Sequence, residues 1–264
     1  MAGYGGNGAA ALKRADIGIA MGQRGTEVAR EASDIVLLDD AFSTIVMAVE
    51  QGRVIFDNIR TFVRYLLSCN VGEIFTVGVA AAINAPLPIL PLQILFLNLV
   101  TDVFPALALG VGEGDEHVMD RPPRPSDEAI LQPQHWMGVG LYGLFIAGSV
   151  LGAFEISQRW LELTSTEAVT ISFMALALGQ LWHVFNMRKA ESGVLSNEIT
   201  RNNYVWGAIV LCLGLLAGAL YIPAIADVLE LQPPTIGGWL LIAGGSFLPL
   251  IAGQTYLSLR GRLW

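Results

Sequence analysis

The chain has 264 residues, of which 53% are hydrophobic and 14% charged, and its mean hydropathy of +0.55 is too high for an ordinary soluble domain and points to a bilayer. The formal net charge of −8 comes from acids gathered near the N-terminus and in loops, which excludes a nucleic-acid-binding surface. Cys69 and Cys212 sit in apolar stretches with no partner at metal-ligand or disulfide spacing, so they read as small core hydrophobes.

Residues 1–40 have soluble character. The apolar runs Ile17-Gly18-Ile19-Ala20 and Ile35-Val36-Leu37-Leu38 flank a polar segment, Thr26 to Ser33, of helical composition. Strand, helix, strand is the unit of a parallel sheet. Two strands cannot bury both faces of such a sheet, so a fragment of a larger α/β domain is expected here. The glycine-rich run at residues 3–8 has neither the Lys-Ser/Thr pair of a P-loop nor a preceding strand, which excludes a nucleotide cradle. Met1 leads into this Gly/Ala-rich run without a basic n-region, so membrane insertion is expected to rely on the first span. A helix from Ala41 to Arg64, carrying Arg53, Arg60 and Arg64, then leads straight into the membrane, residues 41–61 forming a cytoplasmic stalk.

Residues 62–264 hold apolar blocks at about 62–84, 89–111, 137–156, 168–187, 204–225 and 237–258, each long enough to cross ~30 Å of hydrocarbon. Six spans put both termini on one side. With the N-terminus cytoplasmic, Arg121, Arg124, Arg188, Lys189, Arg201, Arg260 and Arg262 lie inside and Arg159 outside, the bias of the positive-inside rule. The first hairpin turns at Ala85-Pro86-Leu87-Pro88, and the second connection, Gly112 to His135, is Pro-rich.

An intramembrane carboxylate is costly and marks function. Glu73 on the first span shares a helix face with Asn70, three residues earlier; on the second span Asn98, Thr101 and Asp102 fall at i, i+3 and i+4, again one face. A short turn between the spans allows the two faces to meet. Carboxylate, amide and hydroxyl oxygens so gathered are the ligand set of a hard cation, Ca²⁺ most characteristically. Pro91 and Pro105 can loosen the second span and release backbone carbonyls as further ligands. Gln180 and His183 on the fourth span are candidates from a third helix, His183 reading rather as a core residue. Singly, Thr101 and Gln180 read equally well as interhelical glue.

Three motifs in chain order carry a family resemblance: Leu67-Ser68-Cys69-Asn70-Val71-Gly72-Glu73, Pro91 to Asp102 (PLQILFLNLVTD), and Met119-Asp120-Arg121-Pro122-Pro123-Arg124. They resemble the fifth and sixth membrane helices and the following loop of type-II, calcium-pump-like P-type cation-transporting ATPases. Phe185 to Arg188 and Asn197 to Asn202 look like bacterial members, so the resemblance covers nearly the whole chain. It implies that Asn70 and Glu73 hold the fifth-helix ligand positions and Asn98, Thr101 and Asp102 the sixth-helix ones. Gln180 falls where the calcium pump of muscle has a glutamate. The Asn98 and Asp102 combination favours Ca²⁺ over the sodium pumps, which carry acids at both positions.

Ala11 to Gly22 resembles the end of the family's haloacid-dehalogenase-like phosphorylation domain, but the segment before it departs from the family. Where the family reads TGDGVNDAP, this chain reads Ala2-Gly3-Tyr4-Gly5-Gly6-Asn7-Gly8-Ala9-Ala10, so Tyr4 and Gly8 replace two Mg²⁺-site acids and Asn7 alone of the polar set remains. Neither an aromatic ring nor glycine supplies a hard oxygen ligand.

The expected fold is therefore an all-α membrane bundle of six transmembrane helices, preceded by a short α/β fragment of a phosphorylation domain. The resemblance implies an integral, multi-pass protein of a bacterial plasma membrane, a truncated derivative of a Ca²⁺-type pump. ATP and Mg²⁺ belong to the intact family member, and the isolated chain is not expected to hydrolyse ATP. Two alternatives are a non-catalytic subunit that pairs with a separate N-terminal pump half, and a passive cation-binding membrane protein.

Overall fold

The computed structural model describes residues 1–114, 117–125 and 127–260, and Arg262 of the charge bias lies outside the described residues. The chain divides into two compact units, one of residues 1–54 with 117–121, the other holding the remaining described residues.

In the first unit the apolar runs form strands β2 (Ile19–Met21) and β3 (Ile35–Leu37). Between them lies helix α2 (Glu27–Glu31), started by Thr26, whose hydroxyl accepts from the Ala29 amide. The expectation of two strands is corrected. Ala2–Gly3 forms a third, β1, and the parallel sheet runs β1-β2-β3, with Ala2 opposite Ile19 and Ile19 opposite Ile35. A strand thus does precede the glycine-rich run, and exclusion of a P-loop rests on its missing Lys-Ser/Thr pair alone. A two-residue strand has no periodicity to read, and this one forms because the β2 edge offers it a ladder. Leu12 of helix α1 (Ala9–Arg14) packs with Ala20 and Ala29 into a core of three buried residues. Asp40, at φ 53°, closes the unit as its carboxylate accepts from the amides of Gln23 and Arg24 at 2.9 and 2.8 Å.

Helix α3 (Phe42–Ala82) is continuous over 41 residues, joining the expected stalk and first span. It stops in a Schellman turn: Asn84 takes a left-handed φ of 53°, and the Ala85 and Asn84 amides bond the Ala80 and Ala81 carbonyls. The second span comprises helix α4 (Pro91–Leu97), a π-helical turn over Asn98–Asp102, and helix α5 (Val103–Gly110). Helices α6 (Pro133–Arg159) and α7 (Ser165–His183) follow, α7 ending in a 3₁₀ turn, Val184–Met187. Next is α8 (Asn203–Tyr221), shorter than the expected fifth span because Pro223 starts a separate helix α9 (Pro223–Val228). Last is α10 (Ile236–Arg260).

Six of these helical segments are long and apolar enough to cross a membrane. Since lipid is as apolar as leucine, their association depends on close packing and polar contacts rather than on hydrophobic burial. Helix α7 sits deepest, with Ile171, Phe173, Leu176 and Leu181 fully buried. The first span approaches α6 where two glycines face each other: a Cβ on Gly143 would stand 2.6 Å from Val71 Cγ1 and 3.1 Å from the Gly72 nitrogen. That approach fixes the height and rotation of α3 one residue before Glu73.

Candidate cation site

Glu73 and Asp102 are 5% and 3% exposed, so neither acid reaches solvent freely. The hairpin brings their two helix faces together, as Asn70 Nδ2 donates to the Leu66 carbonyl at 2.8 Å and approaches Asp102 Oδ2 at 3.5 Å. The third helix takes a larger part than its sequence position suggested. Gln180 Nε2 donates to Glu73 Oε1 at 2.8 Å, while Gln180 Oε1 lies 2.8 Å from the Thr101 hydroxyl. A carboxylate can only accept, so the amide nitrogen must face Glu73 and its oxygen Thr101. Gln180 thereby ties the first, second and fourth spans together. The Thr101 hydroxyl also stands 2.9 Å from the Leu97 carbonyl, and its single proton serves one acceptor at a time.

Asn98 Oδ1 and Asp102 Oδ1 are buried and meet no hydrogen-bond donor among the described residues. Both residues, with Asn70, line a groove of about 560 Å³ whose other walls include Phe62, Leu66 and Ala106. Buried acceptors without donors are costly unless a cation or water answers them. No three His, Cys, Asp or Glu side chains converge among the described residues. The cluster therefore offers two carboxylates supplemented by neutral oxygens, a donor set for hard cations rather than for thiophilic or imidazole-seeking metals.

The prolines act differently from the sequence expectation. Pro91 stands in the first turn of α4, where no intrahelical donor is lost. Pro105 has no N–H to send to the Thr101 carbonyl in an α register or to Val100 in a π register, and the π-turn lies just before it. These two carbonyls are not left bare for a cation. The Tyr65 hydroxyl lies 2.9 Å from the Thr101 carbonyl and 3.2 Å from that of Gln180, and the Cys212 thiol donates to the Val100 carbonyl at 3.1 Å. Sequence reading missed Tyr65, though its place eight residues before Glu73 puts it on the same face. Cys212, on a helix with no other polar neighbour at hand, gave no signal.

His183 is buried and sits beside this cluster without joining it. Its ring stacks on Tyr65 with centroids 6.0 Å apart, and Asn186 meets its Nδ1 at 3.2 Å, so it packs as the core residue it was expected to be. In the first unit Tyr4 and Asn7 are exposed and Gly8 ends a 3₁₀ turn, Gly6–Gly8. One amide oxygen and no carboxylate do not fit a Mg²⁺ ion, and no phosphoryl transfer at this turn follows from them.

Residues 86–259 match the family profile described as "Cation transporting ATPase, C-terminus". The chain belongs to this family. The C-terminal cation-transporting ATPase region thus accounts for the second to sixth spans, and similarity to individual relatives extends it over the first span and the N-terminal unit. A protein named calcium-transporting ATPase in Bacillus subtilis (strain 168) is 42% identical over 256 residues, covering 96% of this chain and 29% of its own length. The endoplasmic reticulum-type calcium-transporting ATPase 2 of Arabidopsis thaliana is 33% identical over 319 residues, covering 99% of this chain and 30% of its own length. The chain therefore spans about 30% of the curated relatives it matches. With six apolar helices and this family membership, it is an integral multi-pass membrane protein.

Proposed function

We propose that this chain forms the transport half of a Ca²⁺-translocating P-type ATPase, with the ion held between α3, the π-turn and α7. The observation that carries this reading is the pair of buried oxygens without a hydrogen-bond donor, Asn98 Oδ1 and Asp102 Oδ1, on two residues that line a groove and stand near a second buried acid. Glu73, Asp102, Asn98 and Asn70 supply the oxygens. Gln180 holds Glu73 and is itself held by Thr101, and both Gln180 and Thr101 add their own oxygens when those bonds are exchanged for the ion. Two carboxylates balance one divalent charge, and that balance offsets the cost of about 3 kcal/mol that each isolated charge carries at mid-membrane.

Transport in such a pump is alternating access driven by aspartyl phosphorylation from ATP, chemistry that lies in the remaining length of the relatives. The groove beside Asn98 and Asp102 is where an N-terminal pump portion completes the ligand shell. The first unit is the end of a haloacid-dehalogenase-like phosphorylation domain, and its degenerate turn at Tyr4, Asn7 and Gly8 leaves these 264 residues without ATP hydrolysis of their own. Helix α3 carries motion from that unit to Asn70 and Glu73. Both termini are cytoplasmic, a reading supported by the excess of Arg and Lys on that side. The membrane is a bacterial plasma membrane, a reading supported by the resemblance of Phe185 to Arg188 and Asn197 to Asn202 to bacterial members.

Calorimetry of Ca²⁺ binding to the purified chain tests this. Micromolar binding that Asp102→Asn and Glu73→Gln each abolish is the expected result. Equal binding by wild type and both variants would place the ion elsewhere and overturn the reading.

A further inference from the structure

We propose that Cys212 of the fifth span is a positioning residue for the cation cluster, its thiol holding the Val100 carbonyl and thereby the π-turn that places Asn98 and Asp102 on the groove and Thr101 against Gln180. The role rests on the cation reading given above; the hydrogen bond itself does not.

A π-turn is an uncommon, short-lived element unless side chains stabilise the carbonyls it displaces. Here five residues, Asn98–Asp102, take that geometry, and three of them are the candidate ligands. Pro105 removes the amide proton that would otherwise go to Thr101 or Val100, depending on register. Two side chains from other helices answer those carbonyls, Tyr65 from α3 and Cys212 from α8. Tyr65 is shared with the Gln180 carbonyl and has one proton to give. Cys212 is committed to Val100 alone, across 112 residues of sequence, with both groups buried. A thiol is a weak donor, but no water competes with it at this depth, and an unanswered carbonyl in hydrocarbon is costly. Without it the Val100 carbonyl gains by returning to an α register. That change rotates the residues before the turn against those after it by roughly 100°, one residue's step of a 3.6-residue helix, and takes Asn98 off the groove it shares with Asn70 of the first span. The fifth span thus acts on the ion site although it offers no oxygen to it.

The test uses the full chain in lipid nanodiscs, with Cys212→Val, which stays apolar, is larger by about a methyl group and removes the donor, and Cys212→Ser, which is slightly smaller and keeps it. The infrared S–H stretching band that disappears in Cys212→Ser belongs to Cys212. A band displaced to the hydrogen-bonded frequency is expected, and one at the frequency of an unbonded thiol would overturn the proposal. Carbodiimide modification of Asp102 relative to Glu73, read by peptide mass spectrometry, reports the aim of the turn. The ratio should change about threefold to tenfold in Cys212→Val, the worth of one hydrogen bond, and return to the wild-type ratio in Cys212→Ser. If both variants match wild type, or if serine behaves as valine does, the role is not positioning through this bond. Protection of wild-type Asp102 by added Ca²⁺ is scored separately: its absence would sink the cation reading and leave the comparison of variants standing.

Discussion

Gln180 reaches Glu73 across two helices, its Nε2 donating to Oε1 at 2.8 Å in a fully buried position. The same amide receives Thr101 on its other side, so one neutral side chain joins three spans. Gln180→Met keeps the volume and removes both contacts, leaving a buried carboxylate short of a donor. A hydrogen bond to a charged group is worth about 2 kcal/mol, and unfolding of the chain in detergent should fall by about that much. Calcium binding should weaken in the same variant, because Glu73 is no longer held. Unchanged thermal unfolding would show that the amide contributes nothing to joining the spans.

Pro105→Ala separates stability from function. Proline inside a helix costs about 3 kcal/mol relative to alanine, and the restored amide lets the π-turn relax. The expected outcome is a chain at least as stable to heat that binds Ca²⁺ about tenfold more weakly, since the segment carrying Asn98 rotates relative to Asn70 and Glu73 of the first span. Isothermal titration beside a melting curve reads both. Retained affinity would show that the turn does not set the ligands.

Gly143→Ala tests the support behind Glu73. The new methyl would stand 2.6 Å from Val71 Cγ1 and 3.1 Å from the Gly72 nitrogen, and backbone cannot yield as a flexible side chain can. Overpacking of this kind costs about 2 kcal/mol, and it should push α3 from α6 and reduce binding at Glu73. Gly140→Ala on the same helix meets nothing within 4 Å and serves as the control.

The N-terminal unit should lose order in acid. Some desolvation raises the Asp40 carboxyl, but the amides of Gln23, Arg24 and Gly22 outweigh it and hold the group below its usual 3.8. Asp39 is held low by the Thr44 hydroxyl and the Ala41 amide. Carboxyls lowered in the folded state stabilise it above their unfolded values, and that contribution disappears as pH falls below about 4 through the folded values. Hydrogen exchange at the Gln23 and Arg24 amides should therefore accelerate, beyond its intrinsic pH dependence, below about pH 4. Asp40→Asn should show the faster exchange already at neutral pH. Equal protection in the variant would remove the role given to this carboxylate.

Length, apolar content and the spacing of the blocks determined that the chain is a six-span membrane helix bundle, because a bilayer permits few other solutions to runs of that length. The spacing of Asn70 with Glu73, and of Asn98 with Thr101 and Asp102, likewise settled which residues share a face, since helical periodicity is local. The strand at Ala2–Gly3 lay beyond reach, because two residues form a strand only where an existing edge accepts them. So did the contacts of Gln180 with Glu73 and of Cys212 with Val100, separated by 107 and 112 residues, for which no spacing rule exists. Pro105 announced that a carbonyl would lose its donor. Only the tertiary structure decided which side chain, from which helix, would replace it, since that depends on how distant spans pack at the same depth.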